Sequence, residues 1–455
     1  MKTDAREPSL VREPSAPPGP SRRSFWRSPV RGPWLTSVFG LLLLFSIPVM
    51  FATGLLSYAA YNPDLSPVND LTPGKGPLGF YLFSWPTHPI WLYRLNQGVH
   101  VTLGLVLVPI VLFKLWSVLP KLFEWPPLHS LAHLLERISL IAVVGGIIFE
   151  LATGILNIQT YYKFPQGGNF YALHFYGAWV FIGGFVMHVA IKFPAMVRAL
   201  SGHSMWDVLR TDLARTRPEP LDPGGLVALH PDPATISRRG ILAFAGGASA
   251  LVGALVVGQS VGGVLRKTAL LAPHGQEMTG VNGASPDFQV NMTAEGAGVT
   301  AADAHASIWT LTLNSEVITG TGMPPEGTDT VTKVTTLTRA DLLKLEQHTV
   351  SLPIACVEGW STENQTWTGV RLADLAKMAG VPEPSSMLTR SMQKGGAFSR
   401  AVMSQAQTID PDSLLALRVN GADLTLDHGY PARVIVPDAP GVHNTKWVSS
   451  LTFRR

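Results

Sequence analysis

Cysteine is almost absent from this chain of 455 residues, which contains Cys356 and no other. A single thiol cannot form an intrachain disulfide, so the fold must be stabilised without one. A lone cysteine is usually a small buried hydrophobic residue, but its thiolate is also a soft ligand for a transition metal. The composition therefore leaves two interpretations of Cys356 open, a core residue or a metal ligand.

Charged side chains are also scarce, at 15% of the chain, whereas glycine and proline are abundant, with 43 and 36 residues. Together with a positive mean hydropathy, this composition suits a chain that lies partly in lipid. The sequence shows no basic stripe interleaved with aromatic residues, so we expect no nucleic-acid partner. The length fits two or three domains.

Long apolar runs dominate the first part of the chain. They lie at about 34–60, 90–118, 134–157, 171–197 and 240–264. Each run approaches or exceeds the ~20 residues that a helix needs to cross a bilayer. The first run is too long for the core of a signal peptide and has no clear cleavage site. The pattern predicts an all-α bundle of four transmembrane helices over 34–197 and a fifth transmembrane helix within 237–264.

The basic residues predict the orientation of these helices. Up to residue 264, most Lys and Arg residues fall in the segments 1–33, 119–133 and 198–239, whereas the loops 61–89 and 158–170 carry only Lys75 and Lys163. By the positive-inside rule, the N-terminus then lies in the cytoplasm and residues 265–455 lie on the other side. The Pro-, Ser- and Arg-rich segment 1–33 is typical of a disordered basic tail, and 198–236 is a cytoplasmic linker.

The fifth apolar run follows Ser237-Arg238-Arg239-Gly240. This arrangement resembles a twin-arginine export signal placed inside the chain, and it implies the twin-arginine translocation machinery as a partner. The alternative interpretation is two ordinary arginines that obey the positive-inside rule.

A second set of motifs surrounds the single cysteine. In chain order they are Cys356-Val357-Glu358-Gly359-Trp360-Ser361, Trp367-Thr368-Gly369, Asn420-Gly421, His428-Gly429-Tyr430-Pro431-Ala432-Arg433 and Thr445-Lys446-Trp447. Over about residues 280–455 this series resembles the sulfite oxidase and methionine-sulfoxide reductase family of molybdenum enzymes. The resemblance implies an α+β molybdopterin-binding oxidoreductase domain at 301–455, preceded by a linker and irregular segment at 265–300. It also implies that Cys356 ligates molybdenum held by a single molybdopterin.

The same resemblance suggests acid–base and metal-proximal residues. Glu358 resembles an active-site glutamate of the reductase branch, where it would relay protons, although an ordinary surface carboxylate is the alternative. Asn291 is similar to an asparagine that the family places near the metal. Met292 departs from the family pattern, because a basic residue is often found at that position.

Other positions resemble the residues that bind the pterin. His443, Asn444 and Lys446 are similar to the loop that holds the pterin phosphate. Arg433 is a second cation suited to a phosphate or a substrate oxyanion, with a structural ion pair as the alternative.

The first four apolar runs contain a weak internal repeat. Thr53-Gly54 and Thr153-Gly154 occupy matching positions, which we interpret as helix ends, and the following run in each case carries a histidine, His100 or His174. Ionisable groups in lipid are costly and usually functional, and imidazole is a common axial ligand of haem iron. A structural histidine is the alternative for each residue alone, but the matched pair predicts one haem b.

A further histidine, His188, lies fourteen residues after His174, or about 21 Å along one helix. This spacing is similar to that in the cytochrome b subunits of formate dehydrogenases and hydrogenases, where it stacks two haems. Here the start of the first helix has no histidine to pair with His188, and Lys114 stands at the repeat-equivalent position. His129 and His133 are the nearby substitutes, so a second haem stays open.

These features predict a membrane-anchored molybdenum oxidoreductase of a prokaryotic plasma (inner) membrane, with its active site outside the cytoplasm. Molybdopterin is inserted in the cytoplasm, so export of a folded domain would suit the twin-arginine route. The enzyme would exchange electrons with the quinone pool through haem b and reduce a sulfoxide or N-oxide. Oxidation of sulfite is the alternative reaction, and a catalytically silent redox or assembly module is the alternative of another class.

Overall fold

The computed structural model describes residues 16–69, 83–127, 130–158, 170–202, 204–222, 224–271, 288–290, 292–317, 331–396 and 399–455. In these ranges the helices are α1 Pro33–Ala60, α2 Leu92–Leu122, α3 Leu131–Ile158, α4 Phe170–Ser201, α5 Met205–Arg210, α6 Arg238–Val256, α7 Gly258–Val261, α8 Ala294–Ala297, α9 Arg339–Lys344, α10 Leu372–Met378 and α11 Gln405–Ile409. The strands are β1 Thr310–Glu316, β2 Val331–Thr338, β3 His348–Leu352, β4 Gln365–Arg371, β5 Ser386–Ser391, β6 Arg400–Ser404, β7 Leu414–Val419, β8 Ala422–Asp423, β9 Arg433–Ile435 and β10 Val448–Arg454.

Five helical spans in the described part of the chain are long and apolar enough to cross a membrane. They are Pro33–Leu65, Leu92–Leu122, Leu131–Ile158, Phe170–Ser201 and Arg238–Val261. Large apolar side chains such as Val180 and Val186 are exposed on them, at 70% and 62%, as expected where lipid replaces water as the solvent. The prediction of five apolar helices is confirmed.

The two Thr-Gly pairs lie inside their helices, which corrects the prediction that they end them. α1 continues past Gly54 to Ala60, and α3 continues past Gly154 to Ile158. A Cβ atom at Gly54 would lie 3.2 Å from the His100 ring, and one at Gly154 would lie 3.1 Å from the His174 ring. A glycine within a helix costs only about 1 kcal/mol. Both glycines therefore leave room for an imidazole.

The chain divides into two compact units. The first comprises Met1–Val49, Val106–Ala152 and Tyr176–Leu251, and the second comprises Met50–Leu105, Thr153–Phe175 and Val252–Arg455. The second unit thus contains residues of α1 to α4 as well as every strand described above. The domain boundaries drawn from the sequence stay predictions.

In the first unit, the arginine pair at the start of α6 has two different environments. The Arg238 guanidinium lies 3.5 Å from the Glu219 carboxylate and donates to the Arg217 carbonyl at 3.0 Å. Arg239 is exposed. Arg238 therefore has a structural role in the folded protein, whereas Arg239 can be changed at little structural cost.

In the second unit, ten strands of the described chain form two five-stranded sheets. One sheet has the order β2-β1-β10-β5-β6, in which β1 and β10 are parallel, and the other runs β3-β4-β7-β8 with β9 paired to β7. Leu311 and Leu313 alternate with more exposed residues along β1 and lie in the core, as the sequence pattern predicts. The Thr338 hydroxyl caps α9 in a capping box with Asp341. The predicted α+β architecture of the C-terminal part is confirmed.

Candidate functional site

Cys356 lies at the start of a tight loop between β3 and β4. Its backbone N–H donates to the Trp360 carbonyl at 2.8 Å, and the Gly359 N–H donates back to the Cys356 carbonyl at 3.1 Å. Gly359 has a φ of +90°, a conformation that disfavours other residues. The Cys356 thiol is only 3% exposed, and burial, followed by the nearby Glu358 carboxylate, raises its pKa well above the usual value.

A cavity in the second unit collects four of the predicted site residues. Cys356, Arg433, Asn444 and Lys446 all line it. The other residues that line it are Gln289, Ile354, Trp360, Thr362, His428, Gly441, Val442, Thr445 and Trp447. Segments about 150 residues apart in sequence therefore converge on one thiol.

Arg433 is a buried cation held by backbone carbonyls. Its two terminal nitrogens donate to the His428 and Asn444 carbonyls, each at 3.0 Å, while its Nε has no hydrogen-bond partner among the described residues. Burial lowers its pKa to about 9. The alternative of a structural ion pair is not seen in the described chain. The Asn444 side chain accepts from the Val436 N–H at 2.9 Å, so it stabilises the loop itself.

Lys446 is a second buried cation. Its ammonium donates to the Met292 carbonyl and, at 2.9 Å, to the Asp427 carbonyl, and it lies 4.7 Å from the centre of the Trp447 ring. Burial, followed by the repulsion of Arg433, lowers its pKa to about 7. A basic residue is common at the Met292 position in the family. Here the Lys446 ammonium contacts the backbone carbonyl of Met292 instead.

Two predicted residues of the described chain, His443 and Glu358, do not line the cavity. His443 is fully buried, its ring packs edge-on against Tyr61 with centroids 6.2 Å apart, and burial lowers its pKa to about 4. Glu358 is half-buried rather than at the surface; it accepts from the Trp360 indole at 2.7 Å, and burial raises its pKa. Asn291 lies outside the described residues.

Three other residues line the cavity but were assigned no role from the sequence. The His428 ring contacts the Thr425 hydroxyl at 2.7 Å and packs against Phe288, and burial lowers its pKa to about 3. The Gln289 Oε1 and Thr445 Oγ1 atoms are buried without hydrogen-bond partners among the described residues. His428 is the first residue of one of the motifs quoted above, and Thr445 directly precedes Lys446 in another. Their positions in these motifs could have identified both as candidate cavity residues.

The residues present fit an anionic cofactor with polar edges. They offer a soft sulfur donor, two buried cations, and polar atoms of Gln289 and Thr445 that need partners. The backbone at Gly429 lies close to both cations, because a Cβ atom added there would be 3.1 Å from the side chains of Arg433 and Lys446. Glycine at this position allows that close packing. These properties suit a molybdenum ion held by molybdopterin.

The second unit contains another candidate site, formed by the two repeat-related histidines. The His100 and His174 ring centroids are 6.1 Å apart, with the planes at 85°. The Thr53 hydroxyl contacts the His100 Nδ1 at 3.0 Å, and the Thr153 hydroxyl contacts the His174 Nδ1 at 3.2 Å. Both predicted ligands are therefore adjacent and carry the same threonine contact.

The tautomer of His100 follows from its threonine. The Thr53 hydroxyl donates its hydrogen to the Met50 carbonyl at 3.0 Å, so towards His100 it can only accept. In this arrangement the Nδ1 atom of His100 carries the proton, and its Nε2 atom keeps a free lone pair.

His188 belongs to the first unit and has different surroundings. It lines a cavity of about 640 Å³, together with Lys114, Glu136 and Lys192. The Lys114 ammonium donates to the Thr36 carbonyl at 2.7 Å, and Lys192 is paired with Glu136. Of the two candidate partners of His188, His133 lies 3.7 Å from Glu124 and does not line this cavity, and His129 lies outside the described residues.

The C-terminal part of the chain matches a known family of domains. The family described as the oxidoreductase molybdopterin binding domain matches residues 326–455. The match indicates a molybdopterin-binding oxidoreductase domain over these residues, and the same part of the chain is similar to sulfite oxidases.

Particular relatives are similar over short segments. A sulfite oxidase of Arabidopsis thaliana is 31% identical over 110 residues, which cover 20% of this chain and 28% of that protein. The uncharacterized oxidoreductase YuiH of Bacillus subtilis is 32% identical over 102 residues, covering 22% and 50%. The chain thus spans half or less of these relatives. The solved structure of the sulfane dehydrogenase SoxCD from Paracoccus pantotrophus covers 32% of this chain and 38% of that chain, at 24% identity and a TM-score of 0.25, too slight a likeness to compare the folds.

Proposed function

We propose that this chain is a membrane-anchored molybdenum oxidoreductase that passes electrons between a quinone and a small oxide substrate through haem b. The observation that carries the proposal is the convergence of Cys356, Arg433 and Lys446 on one buried cavity in a molybdopterin-binding domain. The haem, the quinone and the substrate rest on the arguments below.

At the cysteine site, Cys356 supplies the sulfur ligand, and Arg433 and Lys446 hold the anionic pterin phosphate. Gln289 and Thr445 direct polar atoms towards the same space. When bound, the molybdenum cofactor supplies two-electron oxygen-atom chemistry. The half-buried Glu358, whose pKa is raised by burial, would hold a proton in the same loop as Cys356 and could relay it to the reacting oxygen.

A haem b between His100 and His174 is supported by distances. A metal–imidazole bond is about 2 Å long, so two ligand nitrogens on opposite sides of an iron are about 4 Å apart and the ring centroids about 6 Å apart. The measured centroid distance is 6.1 Å. The Thr53 contact that leaves the His100 Nε2 unprotonated is the kind of outer-shell bond that metal-ligating histidines make.

A quinone as the membrane partner is supported by the cavity in the first unit. Its walls are mainly apolar, and it offers Lys114 and His188 as groups that can donate to quinone carbonyls. By the positive-inside rule the basic loops favour a cytoplasmic N-terminus and residues 265–455 on the other side of the membrane, and Arg238-Arg239 would direct export of the folded domain.

The reductive direction follows from the Cys356-Val357-Glu358 motif, which resembles the reductase branch. Oxidation of a quinol releases two electrons and two protons. Reduction of a sulfoxide S=O group consumes two electrons and two protons and yields the sulfide and water, so the reaction balances. Oxidation of sulfite, with electrons passed to a quinone, is the second candidate, because a similar relative is a sulfite oxidase.

The test is anaerobic spectroscopy of the purified full-length protein. Metal analysis should find molybdenum, and a quinol should reduce one low-spin haem per chain. Addition of a sulfoxide or N-oxide should then reoxidise the haem. Reduction of the oxidised haem by sulfite would instead establish the second candidate, and absence of molybdenum or haem would refute the proposal.

A further inference from the structure

The first turns of α2 contact the cysteine domain along one face. Tyr93, Gln97 and Val101 are spaced four residues apart and so lie on the same side of the helix. The Tyr93 N–H donates to the Asp438 carboxylate at 2.6 Å. Val101 packs directly against Gly359, where a Cβ atom would lie only 2.6 Å from the Val101 side chain. Gln97, the central member of the face, reaches the cysteine loop itself.

Gln97 makes two hydrogen bonds at this point. Its amide N–H donates to the carbonyl of Val357, the residue after Cys356, and its Oε1 accepts from the Ser57 hydroxyl at 2.7 Å. The side chain is 7% exposed. A buried amide in an apolar helix is costly unless its polar atoms are bonded, and here both ends are used.

The histidine site lies one turn away along the same two helices. Ser57 is four residues after Thr53 on α1, and Gln97 is three residues before His100 on α2. The contacts Thr53–His100 and Ser57–Gln97 therefore form successive polar links between α1 and α2. The second repeat offers no such glutamine, because Tyr171 stands three residues before His174 and packs on Tyr61 instead.

We infer that Gln97 couples the two redox sites: its side chain bridges α2 and the Cys356 loop and provides the bonded path along which electrons tunnel between them. This inference rests on the proposed function. The route runs from His100 through the backbone of α2 and the Gln97 side chain, across one hydrogen bond, to Val357 and Cys356. Covalent and hydrogen bonds transmit electrons better than van der Waals gaps of the same length. Two single-electron passages complete the reduction of one S=O group.

Other contacts hold the loop when Gln97 is changed. The Ser260 hydroxyl donates to the Gly359 carbonyl at 2.5 Å, and the Ser361 N–H donates to the Gln259 carbonyl at 2.9 Å. A Gln97 variant should therefore fold and bind both cofactors. Loss of coupling can then be separated from loss of structure.

The test compares Gln97→Leu and Gln97→Glu with a control, Asn96→Leu. Leucine removes both hydrogen bonds, and an ionised glutamate keeps the size and the Ser57 contact but cannot donate to Val357. Asn96 donates to the Thr53 carbonyl at 3.0 Å and does not touch the cysteine loop. Each full-length protein is assayed for haem and molybdenum content, haem midpoint potential, and the rate of electron transfer between the two sites after flash reduction. Amide hydrogen exchange of the cysteine loop is followed as well.

We expect both Gln97 variants to keep both cofactors, the haem potential and turnover with an artificial donor. Their electron-transfer rate should fall severalfold and loop exchange should quicken in Gln97→Leu, while Asn96→Leu keeps the wild-type rate. Unchanged transfer in both Gln97 variants overturns the inference and leaves the proposed function standing. A wild-type protein without haem at the histidine pair would refute the proposed function itself.

Discussion

The two candidate metal sites of the second unit are built in opposite ways. The cysteine site draws on residues from Gln289 to Trp447, held mainly by loops between strands. The histidine site needs only His100 and His174, each supported by a threonine of the preceding long helix. A repeated helical pattern thus brings two histidines together symmetrically, whereas converging loops form an asymmetric cavity with a single sulfur, two cations and polar atoms that have no partner among the described residues.

The largest effect should come from changing the sulfur ligand. Cys356→Ser replaces a soft donor by a hard one, so we expect turnover to be abolished while the haem spectrum stays intact. The measurement is turnover with a quinol and with an artificial donor, beside the reduced-minus-oxidised haem spectrum. Near wild-type turnover would show that the thiol is a core residue.

The reciprocal change removes the haem and spares the cysteine site. His100→Ala and His174→Ala should each abolish the same low-spin haem signal and quinol-linked turnover, because six-coordinate iron needs both imidazoles. An artificial donor acting at molybdenum should still support turnover. His188→Ala is the matched control on α4: it should keep this haem, and loss of a second haem signal in that variant would revive the two-haem arrangement.

An intermediate effect should come from changing Arg238 and Arg239, the proposed export signal for the C-terminal domain. Arg239→Lys keeps the charge, and Arg239 is exposed in the folded protein, so neither the charge-dependent orientation of the first four helices nor the packing should change. We expect this variant, and more strongly Arg238→Lys with Arg239→Lys, to leave residues 265–455 in the cytoplasm with the first four helices inserted. The measurement is protease digestion of spheroplasts. Normal digestion of the C-terminal domain in the double variant would make the arginines ordinary topology charges.

The smallest effect should come from changing the threonines whose hydroxyls contact the two histidine rings. Thr53→Val removes the acceptor for the His100 Nδ1–H, and loss of such a bond weakens metal binding by about 10- to 100-fold. Thr153→Val should behave alike if the two halves are equivalent. Haem retention during dilution in detergent measures the effect, and full retention in both variants would mean that the threonines only pack the helices.

Several parts of this protein were predictable from local patterns. Apolar runs of about 20 residues predict helices that can span a bilayer, because each backbone polar group in lipid must be bonded within its own segment. The Leu311 and Leu313 alternation predicts a strand with one buried face, and Thr338 predicts a helix start. The Cys356 motif identifies the cofactor class, and the repeat identifies His100 and His174 as a pair.

Other features depended on contacts between distant segments. The Thr-Gly pairs were misread as helix ends because the need for space beside an imidazole is set by the neighbouring helix, and a local sequence signal cannot distinguish it from a cap. The places of Gln289 and Thr445 in the cavity were not predicted, because a buried polar atom without a partner is recognised only once its surroundings are known.

The sequence alone determined which residues could do chemistry: one thiol, a pair of repeat-related histidines, and a few cations in a chain with little charge. Only the tertiary structure decided which of them meet. It gathered Arg433 and Lys446 around Cys356 but left His443 outside the cavity, and it set His188 opposite a lysine rather than a histidine. The physical reason is that ligand distances and desolvation arise from packing between segments far apart in the chain, whereas periodicity and motifs report only on near neighbours.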